Sequence, residues 1–159
     1  MPHLPPEWLP HFAAGVSHRV GSCARDGSPG ICRALAAQVL TDGRVQALVA
    51  ADAGPAVIAA VADTGQVAMV LAQPQTHRTL HLKGRDAVVA NADATHDVLL
   101  KARCAAFAAQ LAPLGFPRDM LERHWYASGA GGWKTITFSV SGAWDQTPGP
   151  GAGQPLELR

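Results

Sequence analysis

The residues best suited to bind an anion lie in the segment 73–79, which holds two glutamines, two threonines, a histidine and an arginine. Arginine offers a planar fork of donors that suits a phosphate group. The threonine hydroxyls and glutamine amides add further donors. We therefore predict a ligand-binding corner that uses Gln73, Thr76, Arg78 and Thr79. Alternatively, Arg78 pairs with a carboxylate and the threonines only stabilise the turn.

Two strands are predicted on either side of this corner. The unbroken apolar run 67–72 is typical of a strand buried on both faces. In the run 80–83, Leu80 and Leu82 alternate with His81 and Lys83, which is typical of a strand with one apolar face. The corner should therefore be held rigidly between two strands.

Arg33 and Gly54 are further candidates for binding an anion. Arg33 lies in the otherwise apolar run 31–37, and an arginine there needs solvent, a partner or a ligand, because a buried, unpaired charge costs several kcal/mol, roughly. Gly54 precedes a predicted helix whose free backbone amides and positive dipole could hold a phosphate. Alternatively, Arg33 faces solvent, and the helix end is an ordinary one.

Other possible sites are less specific. His77 and His81 would lie roughly 13 Å apart on one strand, too far to share a metal ion. A single histidine could ligate a metal or haem, and His124, Trp125 and Tyr126 could cover an aromatic ligand. We recognise no nucleotide-binding glycine loop, no paired-cysteine motif and no serine nucleophile motif. We therefore predict no metal site and leave catalytic residues unassigned.

Composition limits the class of protein. The chain has 159 residues, 48% hydrophobic and 16% charged, with a net charge of +1, so we expect a globular protein with no general attraction to nucleic acid or membranes. The start of the chain lacks a signal-peptide pattern. The three cysteines have no paired spacing, which favours buried thiols in a reducing compartment. We therefore predict a cytoplasmic protein.

The order of elements predicts a mainly β fold. Tight turns at 25–30 and 41–43 join three strands into an antiparallel meander, and two longer helices are expected at 54–63 and 96–111. Further elements are predicted as helices at 6–14 and 118–125 and strands at 85–90 and 133–144. These elements suggest a six-stranded antiparallel β-barrel with helices outside. Residues 1–145 should form one domain, followed by a Gly- and Pro-rich tail at 146–159.

With these residues in view, the chain resembles the pyridoxamine 5'-phosphate oxidase-like, FMN-binding split-barrel family. The resemblance runs from about residue 15 to 84 and resumes at 133–144. Its pieces are Arg-Asp-Gly-Ser-Pro at 25–29 followed by Arg33, Asp-Gly at 42–43, Val-Ala-Met-Val at 67–70 and Pro-Gln-Thr-His-Arg-Thr-Leu at 74–80. The tail at 145–153 is similar to that of some bacterial members.

The resemblance implies a six-stranded split barrel that forms a homodimer and holds FMN between two chains. It places Arg33, Thr76, Arg78 and Thr79 beside the flavin. One departure is that Gly54-Pro55-Ala56 replaces the Arg-Lys pair with which pyridoxamine phosphate oxidases grip the FMN phosphate. The C-terminal substrate-binding motif of those oxidases is also missing, so that reaction is not predicted.

The resulting expectation is a homodimeric FMN-dependent oxidoreductase acting on an unknown small substrate. The alternative is a non-catalytic barrel that binds FMN or haem as a carrier, sensor or stress protein. A deazaflavin could replace FMN, and a barrel without any cofactor, acting as an interaction module, is a third possibility.

Overall fold

The structure is a computed structural model that describes residues 3–127 and 131–159, without the side chains of 124–127. One antiparallel sheet of nine strands dominates it. The strands are β1 (Ser17–Cys23), β2 (Pro29–Val39), β3 (Val45–Ala50), β4 (Val67–Ala72), β5 (Thr79–Gly84), β6 (Val88–Asn91), β7 (Trp133–Phe138), β8 (Gly142–Asp145) and β9 (Gln154–Pro155). The α-helices are α1 (Pro55–Thr64), α2 (Thr95–Leu111) and α3 (Arg118–Ala127).

The strands lie in the order β6-β7-β3-β2-β1-β4-β5-β8-β9. The predicted β1–β2–β3 meander is confirmed, and so is the mainly β, antiparallel fold with helices. The sheet has nine strands rather than six, and within the described residues no ladder joins β6 to β9.

The single strand predicted at 133–144 is wrong, because the chain turns a corner after Phe138. There the Ser139 amide donates to Asp86 Oδ1 (2.8 Å), and the Ser141 amide donates to the Lys83 carbonyl (2.8 Å). These bonds end β7 and direct β8 to the far edge of β5. Alternation alone could not reveal the corner, because Val140 is as apolar and buried as a strand residue would be.

One face of the sheet encloses the main core. Leu80 and Leu82 of β5 have no exposed surface, and Met69 and Leu71 of β4 pack with them. α1 and an N-terminal 3-10 helix (Pro6–Ala13) add apolar side chains to this core. The helix predicted at the N-terminus is therefore confirmed, with the tighter 3-10 winding and a proline inside it.

The other face is covered only in part. α2 packs Leu100, Cys104 and Phe107 against Leu35 and Leu48 of β2 and β3. This leaves the outer sides of β1, β4, β5 and β8 outside that second core.

Both ends of the described chain return to the sheet. β9 pairs with β8, and Leu156 and Leu158 pack against the main core. The backbones of His3 and Arg159 exchange two hydrogen bonds of 2.6 and 2.9 Å. Among the described residues, no helix combines the length and apolar character needed to cross a bilayer.

Candidate functional site

The open face is the outward-facing surface of five adjacent strands, β2, β1, β4, β5 and β8. One row of residues, matched strand by strand in the register, runs across it: Arg33, Arg19, Val70, His81 and Trp144. Successive strands lie about 4.8 Å apart, so the row spans roughly 19 Å. It has two guanidinium groups at one end and two aromatic rings at the other.

The neighbouring row of the open face is flatter. It contains Ile31, Gly21, Ala68, Lys83 and Gly142, again matched across the five strands. Glycine and alanine leave the middle of this row without large side chains. Ile31 is 72% exposed at its end.

A cleft of about 730 Å³ opens beside this second row. Its positively charged lining side chains are Lys83 and Arg85, and its aromatic side chain is Trp144. The residues that line it are Gly21, Ser22, Cys23, Gly30, Gln66, Val67, Ala68, Lys83, Gly84, Arg85, Ser141 and Trp144. Because none of these described lining residues is acidic, the cleft suits an anionic ligand with an aromatic part.

The aromatic end of the open face is built around Trp144. The His81 ring lies 5.4 Å from the Trp144 ring, tilted by 36°, and Lys83 Nζ lies 5.4 Å from the same ring centre. Partial burial, aided by the positive charge of Lys83, lowers the pKa of His81. His81 is therefore a neutral imidazole at pH 7.

The opposite end of the open face is cationic. The Arg33 guanidinium lies over the Phe107 ring of α2, 5.6 Å from its centre. Burial, together with the neighbouring charge of Arg19, lowers the pKa of Arg33. Arg103 Nε donates to the Ala37 carbonyl (3.1 Å), which places a third guanidinium between α2 and β2.

The predicted corner at 73–79 holds its own polar groups together. Thr76 Oγ1 donates to Gln73 Oε1 (3.0 Å), and Thr79 Oγ1 donates to the His77 carbonyl (2.8 Å). The Thr79 amide donates to Thr147 Oγ1 (3.0 Å). These contacts stabilise the turn, as the second interpretation of the sequence supposed.

Arg78 also has contacts within the chain. Its Nη2 donates to the Glu7 carbonyl (3.2 Å), and its guanidinium lies 4.1 Å from the centre of the Trp8 ring. Arg78 therefore fastens the corner to the N-terminal 3-10 helix. The expected carboxylate partner is replaced by a backbone carbonyl and an aromatic ring.

Gly54 lies at the start of α1, where the helix approaches β2. A Cβ atom at Gly54 would be 2.7 Å from Cys32 Sγ, so the glycine allows the start of α1 to pack directly against the Cys32 side chain. Cys32 points into the main core, whereas Arg33 points to the open face. The six predicted residues therefore occupy three places: the corner, the start of α1 and the open face, which Arg33 shares with Thr79, the first residue of β5.

The remaining predictions concern thiols, metals and α3. Cys32 and Cys104 are buried as expected, whereas Cys23 is partly exposed and lines the cleft. In the described part of the chain, no group of three or more His, Cys, Asp or Glu residues could hold a metal ion. The side chains of His124, Trp125 and Tyr126 lie outside the described residues.

Comparison with known proteins identifies the fold. No protein-family model matches the chain, and no curated protein matches it in sequence. Among solved structures, HupZ from Group A Streptococcus is similar with a TM-score of 0.57 and 10% identity, over 94% of this chain and 100% of that one. A candidate pyridoxamine 5'-phosphate oxidase from Lactobacillus delbrueckii is similar with a TM-score of 0.52 and 17% identity, over 89% and 93%.

This chain has the fold of the pyridoxamine 5'-phosphate oxidase-like proteins. An F420 reductase is also similar, with a TM-score of 0.54 and 12% identity, over 88% of this chain and 98% of that one. The resemblance proposed from the sequence is therefore confirmed for the fold. At these identities the comparisons carry no further information about ligand or activity.

Proposed function

We propose that the chain is an FMN-binding protein and that the cofactor lies over the open face. The observation that carries this proposal is the cleft that combines Lys83, Arg85 and Trp144 without an acidic lining residue. A planar ring can lie against Gly21 and Ala68, because neither residue projects a large side chain. The rest of a flavin, a polar chain ending in a phosphate, suits a surface that also carries arginines.

The proposed activity is that of an oxidoreductase acting on a small substrate of unknown identity. FMN, when bound, supplies the electron-transfer chemistry. Trp144 would orient the ring, and Lys83 and Arg85 would favour the negative charge that the ring carries after reduction. A deazaflavin is the alternative cofactor, since an F420 reductase has a similar fold.

We further propose that two copies of the chain pair through the open face, so that the cofactor lies between them. Ile31 is 72% exposed on this face, and a second copy would remove its apolar surface from water. The contact would also close the open side of the cleft and exclude water from the ring.

We also propose that six of the nine strands form the split barrel predicted from the sequence. Its six strands would be the contiguous run β7-β3-β2-β1-β4-β5 in the sheet order. A contact between the two ends of that run supports it, because a Cβ atom at Gly84 of β5 would lie 2.5 Å from the Phe138 ring of β7. The strands β6, β8 and β9 would then be additions to the barrel.

Haem binding is a second candidate, and one observation favours it. His81 lies on the open face beside Trp144, and its lowered pKa leaves the imidazole neutral and able to ligate iron. As a haem protein, the chain would serve as a non-catalytic carrier or sensor. The third possibility is a protein that binds no cofactor and acts through protein contacts.

The visible spectrum of the protein purified without added cofactor tests these candidates. Flavin absorption, or saturable quenching of flavin fluorescence when FMN is titrated into the apoprotein, supports the first proposal. A Soret band that is lost in His81→Ala supports the second. A colourless protein that binds neither FMN nor haemin would contradict both.

A further inference from the structure

The cationic end of the open face contains two arginines that lie directly opposite each other on neighbouring strands. Arg19 of β1 lies opposite Arg33 of β2 in the register, and both side chains project from the same face. Residues paired in this way have Cβ atoms about 5 Å apart, and like charges there repel each other. The sheet therefore holds two positive charges together at a cost in stability.

Arg103 of α2 adds a third guanidinium group at the contact between α2 and β2. It lies four residues before Phe107, so both side chains project from one face of the helix. Phe107 lies beneath Arg33, and Arg103 is fastened to the Ala37 carbonyl of β2. The junction of β1, β2 and α2 therefore gathers Arg19, Arg33 and Arg103, which we call the arginine cluster.

A buried histidine lies within the electrostatic reach of all three arginines. His18, which is 1% exposed, has its pKa lowered to about 3 by burial and then by Arg103, Arg33, His11 and Arg19. Neither of its ring nitrogens has a hydrogen-bond partner among the described residues. His18 is thus neutral at pH 7 and adds no charge to the cluster.

Among the described residues, no carboxylate forms an ion pair with Arg19 or Arg103. In the described part of the chain, the arginines that form ion pairs with acids are Arg25, Arg44, Arg118 and Arg123. Arg19 instead donates to the Ser17 hydroxyl and the His18 carbonyl, and Arg103 donates to a backbone carbonyl. Arginines gathered around neutral acceptors form a site suited to an anion.

We propose that Arg19, Arg33 and Arg103 bind the phosphate group of the ligand that occupies the open face. This inference rests on the proposed function for the identity of that ligand. Arg19 lies two residues along β1 from Gly21, which lines the cleft, so the two positions are about 7 Å apart. A ligand with its ring beside Trp144 would therefore extend its phosphate along the open face to the arginine cluster.

Two titrations test the proposal on the full chain, the first with inorganic phosphate at constant ionic strength and the second with FMN and riboflavin. We expect phosphate to bind saturably to the original chain. In Arg19→Met the dissociation constant for phosphate should rise about tenfold or more, because a charge-assisted hydrogen bond is lost. FMN should bind more tightly than riboflavin, which lacks the phosphate. In Arg19→Met the affinity for FMN should fall to that for riboflavin, whose own affinity should not change.

The matched control is Arg25→Met, which removes an exposed arginine that pairs with Asp63 away from the arginine cluster. Equal phosphate binding by Arg19→Met and Arg25→Met would overturn the proposal, and so would a response that never saturates. Arg103→Met provides a second test of the cluster and should weaken phosphate binding like Arg19→Met. If phosphate binds through these arginines while neither flavin binds, the cluster is upheld and the proposed function is refuted.

Discussion

Lys83 Nζ lies 5.4 Å from the centre of the Trp144 ring, so the cleft contains a positive charge beside an aromatic face. Both side chains are placed by the β5–β8 ladder, in which Trp144 lies opposite His81, two residues from Lys83. The same arrangement offers a planar ligand a stacking surface and a cation. Four predictions follow from this and from other described contacts.

Replacing Trp144 by leucine should weaken FMN binding by about 1 kcal/mol, since an aromatic pair contributes about that much beyond its buried area. Quenching of flavin fluorescence on titration measures the change. Trp144→Phe keeps a ring and should bind FMN nearly as well as the original chain. Equal affinity in the leucine variant would place the flavin ring elsewhere.

Ile31→Lys should convert the proposed homodimer into a monomer, because a charge would replace apolar surface within the proposed contact. Size-exclusion chromatography with light scattering measures the mass. Val98→Lys is a matched control, since Val98 is 73% exposed on α2 and Ile31 is 72% exposed on the open face. A monomeric original chain, or a dimeric Ile31 variant, would show that the open face does not mediate pairing.

Acid should destabilise the fold through His18. The pKa of His18 is about 3 in the folded chain, whereas its ordinary value, expected in the unfolded chain, is 6.5. Between pH 3 and pH 6.5 the unfolded chain therefore binds more protons than the folded chain. The stability is therefore present above pH 6.5 and is lost as the pH falls, by about 3 kcal/mol between pH 7 and pH 4 from this group alone.

Urea unfolding at several pH values measures this dependence, and His18→Leu should flatten the curve over that range. The buried His11, whose pKa is also lowered, chiefly by burial, remains in both proteins and accounts for part of the residual slope. Parallel curves for the two proteins would mean that His18 is not neutral and buried in solution.

Arg78→Met should lower the free energy of unfolding by about 1 kcal/mol, through loss of the Trp8 contact and the bond to the Glu7 carbonyl. The sequence alone predicts a different effect, namely that Arg78→Ala weakens FMN binding by about 1.5–3 kcal/mol. Measuring unfolding and FMN titration on the same variant separates these roles. Lower stability with an unchanged dissociation constant for FMN would remove Arg78 from the cofactor site.

Local patterns in the sequence were sufficient for individual strands and tight turns. The alternation of Leu80 and Leu82 with His81 and Lys83 correctly predicted which face of β5 is buried. The turns at 25–30 and 41–43 carry Asp-Gly pairs, and the residues that flank them pair as neighbouring strands. These features depend on a few adjacent residues, which the sequence displays directly.

The open face could not be predicted in the same way, because its rows join strands that are distant in the chain. Arg19 and Trp144 share a row only because β1 pairs with β4 and β5 pairs with β8. Such pairings leave no local pattern in the sequence, whereas the corner around Arg78 has polar residues that are adjacent in the chain. Of the six residues predicted for the site, the described structure places Arg33 on the open face, together with Thr79, which begins β5 on the same side as His81 and Lys83.

The two hydrogen bonds between the backbones of His3 and Arg159 bring the two ends of the described chain side by side. A short glycine–serine linker could therefore join them without crossing the open face. New ends could then be opened at the exposed turn around Gly27, between β1 and β2. Such a circularly permuted protein should keep the same sheet, and it would carry a fusion partner at the tip of that hairpin.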